Sequence, residues 1–427
     1  MMIQTPRGTY DILPADIHKW HYVERILKDV CERYNYKEIR TPIFESTELF
    51  VRGVGESTDI VTKEMYTFLD KGNRSMTLRP EGTAPVARSY VQNKLYADPN
   101  QLTKLYYMGP MFRYERMQKG RYRQFYQFGL EALGGMSPQI DAEIIALSVE
   151  MIRELGLKEV RVAINTLGDP ESRAAYRKAL INHFTPVIGE FCKDCQTRLQ
   201  QNPLRVLDCK VDREHEAMMT APKMVDYLTT EAKAFFEEVL GYLDALNISY
   251  ELDFNLVRGL DYYNHTVFEI LSRVKGFGAQ TALGGGGRYN LLVQELGGPE
   301  TPGVGVAFGL ERLILALEAE DVAIPTEDYL DVYVVSMSAK TDREAFRLLQ
   351  ELRLNGLKAD KDYFQRKVKS QLRQADRANA RFTVIVGDEE LKQDTVIVKD
   401  MTTQEQELVP IRFVIQYLLE QKGVKFE

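Results

Sequence analysis

No stretch of this chain approaches the roughly 18 consecutive apolar residues of a membrane-spanning helix, so no membrane association is expected. The N-terminus, MMIQTPRGTYDILP, lacks the basic-then-apolar order of a secretory leader. Cysteine is scarce, with four residues at uneven positions. That argues against a disulfide framework and for a reducing compartment, the cytoplasm. Positive charge is also in deficit: the formal balance is −7. General affinity for nucleic acid is therefore not expected, although a local basic surface remains compatible with that sum. The glycine run at 284–287 does not match the GxxxxGK-S/T phosphate loop. It reads instead as a place where backbone must approach a ligand closely.

What is present is a soluble globular composition, 44% apolar and 27% charged over 427 residues. That length suits two or three domains. The most informative stretch is 106–132, YYMGPMFRYERMQKGRYRQFYQFGLEA. Its ends alternate as strands: Met111, Arg113 and Glu115 on the way out, Phe125, Gln127, Gly129 and Glu131 on the way back. Met117 to Arg121 forms a basic tip. Arginines, carboxylates and a ring on one hairpin face suit a polyanionic ligand on a sheet floor; the same alternation also marks an ordinary solvated face.

Upstream, helical periodicity covers Trp20 to Tyr34, and strands are expected at 37–42, 65–69 and 75–78. Leu49 to Gly55 runs toward a glycine turn. At Arg79-Pro80 a strand ends, and Thr83 is expected to cap a helix starting at Pro85. Glu81 then stands at a strand-to-helix junction, where a carboxylate suits either an ammonium group or the helix dipole.

Several segments together carry a family resemblance. RTPIFESTELF at 40–50, FRYER at 112–116 and GVGVAFGLERL at 303–313 resemble motifs 1, 2 and 3 of the class II aminoacyl-tRNA synthetases. LVRGLDYYNHTVFE at 256–269 and ALGGGGRYNLL at 282–292 resemble signatures of the histidyl branch. The chain thus resembles the bacterial histidyl-tRNA synthetases over nearly its whole length. The tip departs from the family pattern at Met117 and Tyr126, where proline and histidine are common.

The resemblance implies an α+β catalytic core with a mixed, mainly antiparallel sheet, a helical insertion and a C-terminal α/β anticodon-binding domain. The implied boundaries are 1–171 and 247–325 for the core, 172–246 for the insertion and 326–427 for the last domain. It implies ATP with Mg²⁺, L-histidine and tRNA(His) as ligands, and a homodimer through motif 1. Carried onto this sequence, Arg113, Arg258 and Arg312 are the catalytic arginines. Arg113, Glu115, Arg121, Phe125 and Arg312 surround ATP, with Glu115 either meeting the adenine amino group or ordering the loop. Glu81, Thr83, Gln127, Glu131, Arg258, Tyr263 and Tyr289 surround histidine, Glu131 accepting from a ring N–H. Arg116 and Gln118 at the tip meet the tRNA acceptor end. No residue is assigned to a metal, and no side chain reads as a general base for transfer, a role open to the adenylate phosphate itself.

In the middle segment Cys192, Cys195, Cys209 and His215 have spacings compatible with a Cys3His zinc site. NPLRVLDCK at 202–210 also reads as a helix-packing segment with Cys209 in a core, and spacing does not choose between the two. After Pro325 the βα alternation indicates a separate domain, with helices at 342–354 and 364–378 and a final helix to about 421. Lys358, Lys361, Arg366, Lys367, Lys369, Arg373, Arg377 and Arg381 concentrate positive charge there, compatible with RNA phosphate or with a solvated face. Two rivals are weaker. A silent paralogue regulating ATP phosphoribosyltransferase typically lacks the last domain and parts of the ATP and histidine motifs. A non-enzymatic RNA binder need not keep both Arg113 and Arg312.

Overall fold

The computed structural model describes residues 2–56, 58–98, 101–209, 211–274, 281–326 and 329–423. They form two compact units, Met1–Ile324 and Pro325–Glu427. The first opens with α1 (Ile17–Arg33), β1 (Lys37–Glu38), β2 (Phe44–Ser46), α2 (Thr47–Val54), β3 (Tyr66–Leu69), β4 (Ser75–Leu78) and α3 (Thr83–Gln92). A long hairpin follows, β5 (Thr103–Phe112) and β6 (Gln124–Leu133), then α4 (Pro138–Glu154) and β7 (Val160–Thr166). The middle is helical: α5 (Pro170–Phe184), α6 (Lys193–Gln201), α7 (Glu216–Met219) and α8 (Thr230–Ala245). The unit closes with β8 (Glu251–Leu252), β9 (Asn264–Ser272), β10 (Ala282–Arg288), α9 (Leu292–Glu295), β11 (Gly303–Gly309) and α10 (Leu310–Ala319).

Eight strands make one sheet in the order β1-β5-β6-β11-β10-β9-β7-β8, and β2-β4-β3 make a small separate one. Only the outer pairs, β1 with β5 and β7 with β8, are parallel. One sheet face is apolar, carrying Phe128, Leu130, Val304, Val306, Phe268 and Ile270. It packs against Trp20, Val23 and Leu27 of α1, Ile144 and Ile145 of α4, Val239 of α8 and Leu313 of α10. Each fully buried aliphatic side chain there contributes about 1.5–3 kcal/mol. The caps follow side-chain chemistry: Ser137 and Asp169 accept from the amides of Gln139 and Ser172, each just before a first-turn proline. Arg288 and Asp141 form a fully buried pair, with Arg288 Nε 3.0 Å from Asp141 Oδ2, which ties β10 to α4 beneath the sheet.

The structure differs from the sequence reading in several places. Residues 49–54 are helical, most of α2, because Leu49, Phe50, Gly53 and Val54 bury one helical face, and Gly55 ends the helix at a φ of +107°. The strand expected to Pro42 stops after Glu38, with one further bond from Ile39 N–H to the Tyr106 carbonyl; proline ahead has no ladder donor. Thr83 does not cap α3. The Glu81 carboxylate does, accepting from Thr83 N–H at 2.8 Å and Ala84 N–H at 2.9 Å.

The second unit contains β12 (Val332–Ser336), α11 (Asp342–Leu354), β13 (Ala359–Lys361), α12 (Val368–Arg377), β14 (Phe382–Val386), α13 (Asp388–Lys392), β15 (Thr395–Asp400), β16 (Gln406–Pro410) and α14 (Val414–Gln421). Its sheet order is β13-β12-β14-β15-β16, parallel at one side and antiparallel at the other. The strand β16 was not anticipated. α12 is shorter than expected, because Asp362 accepts from the amides of Phe364 and Arg366 and holds that stretch as a turn. Lys361 is buried against Asp342, whereas Lys358, Arg366, Lys367, Lys369, Arg373, Arg377 and Arg381 are exposed.

Candidate active site

The face of the large sheet opposite the core is bare by design of its sequence. Gln127, Gly129 and Glu131 alternate on β6, and strand pairing sets them opposite Gly309, Ala307 and Gly305 of β11. Ala307 in turn faces Gly285 of β10, and Gly285 faces Glu269 of β9. Because side chains alternate across a strand, this row of glycine and alanine shares one face with the three polar residues. A methyl group on Gly305 would collide with the Glu131 carboxylate, and one on Gly285 with the Arg258 guanidinium. The glycines therefore clear the floor of a cavity of about 700 Å³.

One end of the cavity is a nest of hydroxyls around a carboxylate. Glu131, 1% exposed, accepts from Thr83 Oγ at 2.7 Å and from the Tyr289 hydroxyl. Burial pushes its pKa up to about 8, against the pull of those two hydrogen bonds. Glu81 is also buried and its pKa raised by burial. Gln127 Oε1 is buried and has no hydrogen-bond partner among the described residues, so it presents a ready acceptor to the cavity. Tyr262, Tyr263 and Tyr289 wall this end, the Tyr262 ring lying 4.6 Å from that of Tyr263 and 5.6 Å from that of Tyr289. The Arg258 guanidinium lies 5.6 Å over the Tyr263 ring and pairs with Glu269.

The other end is cationic. Strand β5 ends at Phe112 rather than running on through Glu115, so Arg113 and Glu115 belong to the loop 113–123. Arg113 Nε donates to the Pro80 carbonyl at 2.8 Å, and its guanidinium sits 5.3 Å over the Phe125 ring. Glu115 is ion-paired with Arg121 at 2.6 Å and stands 3.7 Å from Arg113, so it orders the loop. Arg312, in the first turn of α10, donates to the carbonyls of Gly120 at 3.3 Å and Ala282 at 2.7 Å. Three guanidinium groups, of Arg113, Arg121 and Arg312, thus line one end of the cavity with the Phe125 ring beneath Arg113, a chemistry suited to a nucleotide polyphosphate.

Residues 8–313 match the family model described as histidyl-tRNA synthetase. The chain belongs to the histidyl-tRNA synthetase family. Residues 331–421 match the anticodon binding domain model. Among curated relatives, the histidine–tRNA ligase of Geobacillus sp. (strain WCH70) is 59% identical over 420 residues, 98% of this chain and 99% of that one. The ligase of Bacillus cytotoxicus is 58% identical over the same length. Among solved structures, apo S. aureus histidyl-tRNA synthetase superposes with a TM-score of 0.84 at 50% identity, covering 98% of this chain and 100% of that one.

For a histidyl-tRNA synthetase the arrangement is orderly. Glu81, Thr83, Arg113, Glu115, Arg121, Phe125, Gln127, Arg258, Tyr263, Tyr289 and Arg312 all border the one cavity, with Glu131 bonded to Thr83 and Tyr289 at its edge. Arg116 and Gln118 do not border it. They are exposed on the tip, where Gln118 and Arg121 exchange backbone hydrogen bonds at 2.9 and 3.3 Å. Sequence reasoning missed Tyr107, Tyr262 and Glu269. Tyr107 fills the space left by Gly82 and Gly129; its signal was the pairing of an aromatic with a glycine across the hairpin. Glu269 was legible as the polar residue alternating with Phe268 and Ile270 on β9.

The candidate zinc ligands are rearranged. Cys192, Cys195 and Cys209 do come together, but their fourth neighbour is Asp212 and not His215.

Proposed function

We propose that this cavity carries out both steps by which a histidine–tRNA ligase works, with its two ends dividing the substrates. The histidine side chain lies at the hydroxyl-lined end, where Glu131 meets an imidazole nitrogen and Tyr263 and Tyr289 limit its size. Glu81, Thr83 and Gln127 surround the α-ammonium. ATP lies at the cationic end, its adenine on Phe125, its α-phosphate between Arg113 and Arg258, and its tail toward Arg121 and Arg312. A carboxylate oxygen of histidine attacks the α-phosphorus, the bond to pyrophosphate breaks, and histidyl-adenylate forms. The terminal ribose hydroxyl of tRNA then attacks the acyl carbon and AMP leaves. Neither step needs a nucleophile from the chain, so catalysis is positioning and charge stabilisation. Mg²⁺ is proposed as a companion of the ATP phosphates; among the carboxylates lining the cavity, Glu115 and Glu269 are already paired with Arg121 and Arg258.

The observation that carries this reading is one glycine-cleared floor with the buried Glu131 at Gly305, Arg258 over Gly285 and Arg312 beside Gly309, where Arg113 and Arg121 also line the cavity. The test is ATP–pyrophosphate exchange by the purified chain. Exchange is expected with histidine and not with other amino acids, followed by charging of tRNA(His). A folded chain without histidine-dependent exchange overturns the reading.

Arg116 and Gln118 are proposed to meet the tRNA acceptor end, and the exposed cations of α12 its phosphates. A homodimer is also proposed. Ile43, Phe44, Phe68 and Leu69, on or beside the small sheet, are 45%, 52%, 44% and 65% exposed, an apolar patch that water disfavours. Sedimentation at micromolar concentration is expected to give twice the chain mass of 49.1 kDa; a single-chain species would remove this part.

A further inference from the structure

Cys192, Cys195, Cys209 and Asp212 form a cluster that the aminoacylation chemistry does not use. One ligand atom from each lies within 4.8 Å of every other. Cys192 Sγ is 3.8 Å from Cys209 Sγ, and Cys209 Sγ is 3.2 Å from Asp212 Oδ2. Ligands held about 2.3 Å from a tetrahedral zinc ion stand about 3.8 Å apart. Two of the separations are therefore at or inside that value, and the others need to close by no more than about 1 Å.

The cluster comes from two pairs with the same sequence spacing. Cys192 and Cys195 bracket the start of α6, and Cys209 and Asp212 repeat the two-residue separation. In each pair a backbone amide faces the leading sulfur: Cys195 N–H toward Cys192, and Asp212 N–H toward Cys209 Sγ at 3.4 Å. Amides aimed at sulfur favour thiolate and fix ligand direction. The Asp212 carboxylate is oriented by Cys192 N–H at 3.1 and 3.3 Å. Cys192 and Cys209 border the active-site cavity, which gives an ion its entry path.

We propose that these four side chains hold one zinc ion in a closed Cys3Asp site. Three sulfur donors select a zinc-class ion over Mg²⁺ or Ca²⁺, and four protein ligands leave no open position for catalysis. On binding, the three thiol protons are released to solvent, including the one that Cys209 shares with Asp212. His215 is outside the set. It caps α7, with Nδ1 accepting from Ala217 N–H at 3.1 Å, its Nε2 3.2 Å from Glu190 and its ring 4.4 Å from that of Phe191. The ion would pin α6 and residues 203–209 together. Those segments carry Arg198 and Arg205, which reach Asp59 at 3.5 and 3.2 Å across the cavity mouth. Zinc would thus fix the wall of the site without entering its chemistry.

The test uses the full-length chain, purified without chelator and then saturated with zinc, and measures metal by plasma mass spectrometry. About one zinc per chain is expected, with less than about a tenth of that in Cys192→Ser and Cys209→Ser. Asp212→Ala is expected to release zinc to a competing chelating dye about tenfold or more readily, and His215→Ala to match the parent. Cobalt added to the metal-free parent is expected to give thiolate charge-transfer and tetrahedral d–d absorption. A parent that takes up neither zinc nor cobalt, or that carries a Cys192–Cys209 disulfide instead, overturns the site. Zinc retention in Asp212→Ala equal to the parent overturns the fourth ligand.

Discussion

Arg258→Ala is expected to lower histidine-dependent ATP–pyrophosphate exchange by about a thousandfold or more, with tRNA binding nearly unchanged. Loss of one well-placed donor to developing charge typically costs a factor of about 100–1,000. Here a second effect adds to it. Arg258 is the partner of Glu269, on the same sheet floor. Without the guanidinium, Glu269 presents an uncompensated carboxylate to the incoming phosphates, and like charges in a partly buried site repel strongly. Lysine would restore charge but not the fork that spans a carboxylate and a phosphate at once. tRNA binding is expected to survive because Arg116, Gln118 and the α12 cations are elsewhere in the chain. Equal losses of exchange and of tRNA binding would remove Arg258 from the chemistry and make it a structural residue.

The second large effect concerns protons. Burial holds the Glu131 carboxyl protonated up to about pH 8, whereas free imidazole titrates near about 6.5. Between those values the empty site and the ligand bring one proton between them, enough for a single carboxyl–imidazole bond. Above about 8 the pair lacks that proton, and below about 6.5 it has one too many. Histidine affinity is therefore expected to peak in that window and to fall about tenfold per pH unit outside it. Glu131→Gln is expected to raise the histidine KM about a hundredfold and to abolish the alkaline fall. A parent profile flat from about pH 6 to 9 would show that Glu131 does not share the proton. The same raised pKa affects folding. Its stabilising contribution is complete below the ordinary carboxylate range and is lost as pH rises through about 8.

The hairpin was legible because its alternation is long: both strands run for ten residues, from Thr103 to Phe112 and from Gln124 to Leu133. Its tip was less so. Charges alternating through Arg113 and Glu115 imitate a strand, but the ion pair of Glu115 with Arg121 closes a loop instead. Helix α2 was hidden by its brevity and its β-branched residues, and only burial of Leu49, Phe50 and Val54 reveals its period. Glu81 and Thr83 both border the cavity, but the cap of α3 comes from Glu81 where Thr83 was expected, since either side chain can satisfy the first amides of a helix. The cysteine cluster shows a different limit. Spacing brought three sulfurs into view, but chain folding, and not sequence proximity to a histidine, decides that Asp212 completes the group. Tyr107 and Tyr262 were lost among 23 tyrosines, because only cross-strand pairing distinguishes a cavity wall from a core.

The pairing of Arg258 with Glu269 and of Arg121 with Glu115 gives the site an internal set of counter-ions. A phosphate that arrives must compete with a carboxylate already in place, so the gain from any single new contact is discounted by the contact it displaces. A lone phosphate or pyrophosphate, reaching one guanidinium, is expected to gain little. On the proposed reading, a nucleotide that reaches several at once while stacking on Phe125 is expected to displace them together. Affinity is then expected to rise more steeply than the number of contacts, so that the cavity discriminates against small anions and in favour of one that spans its length.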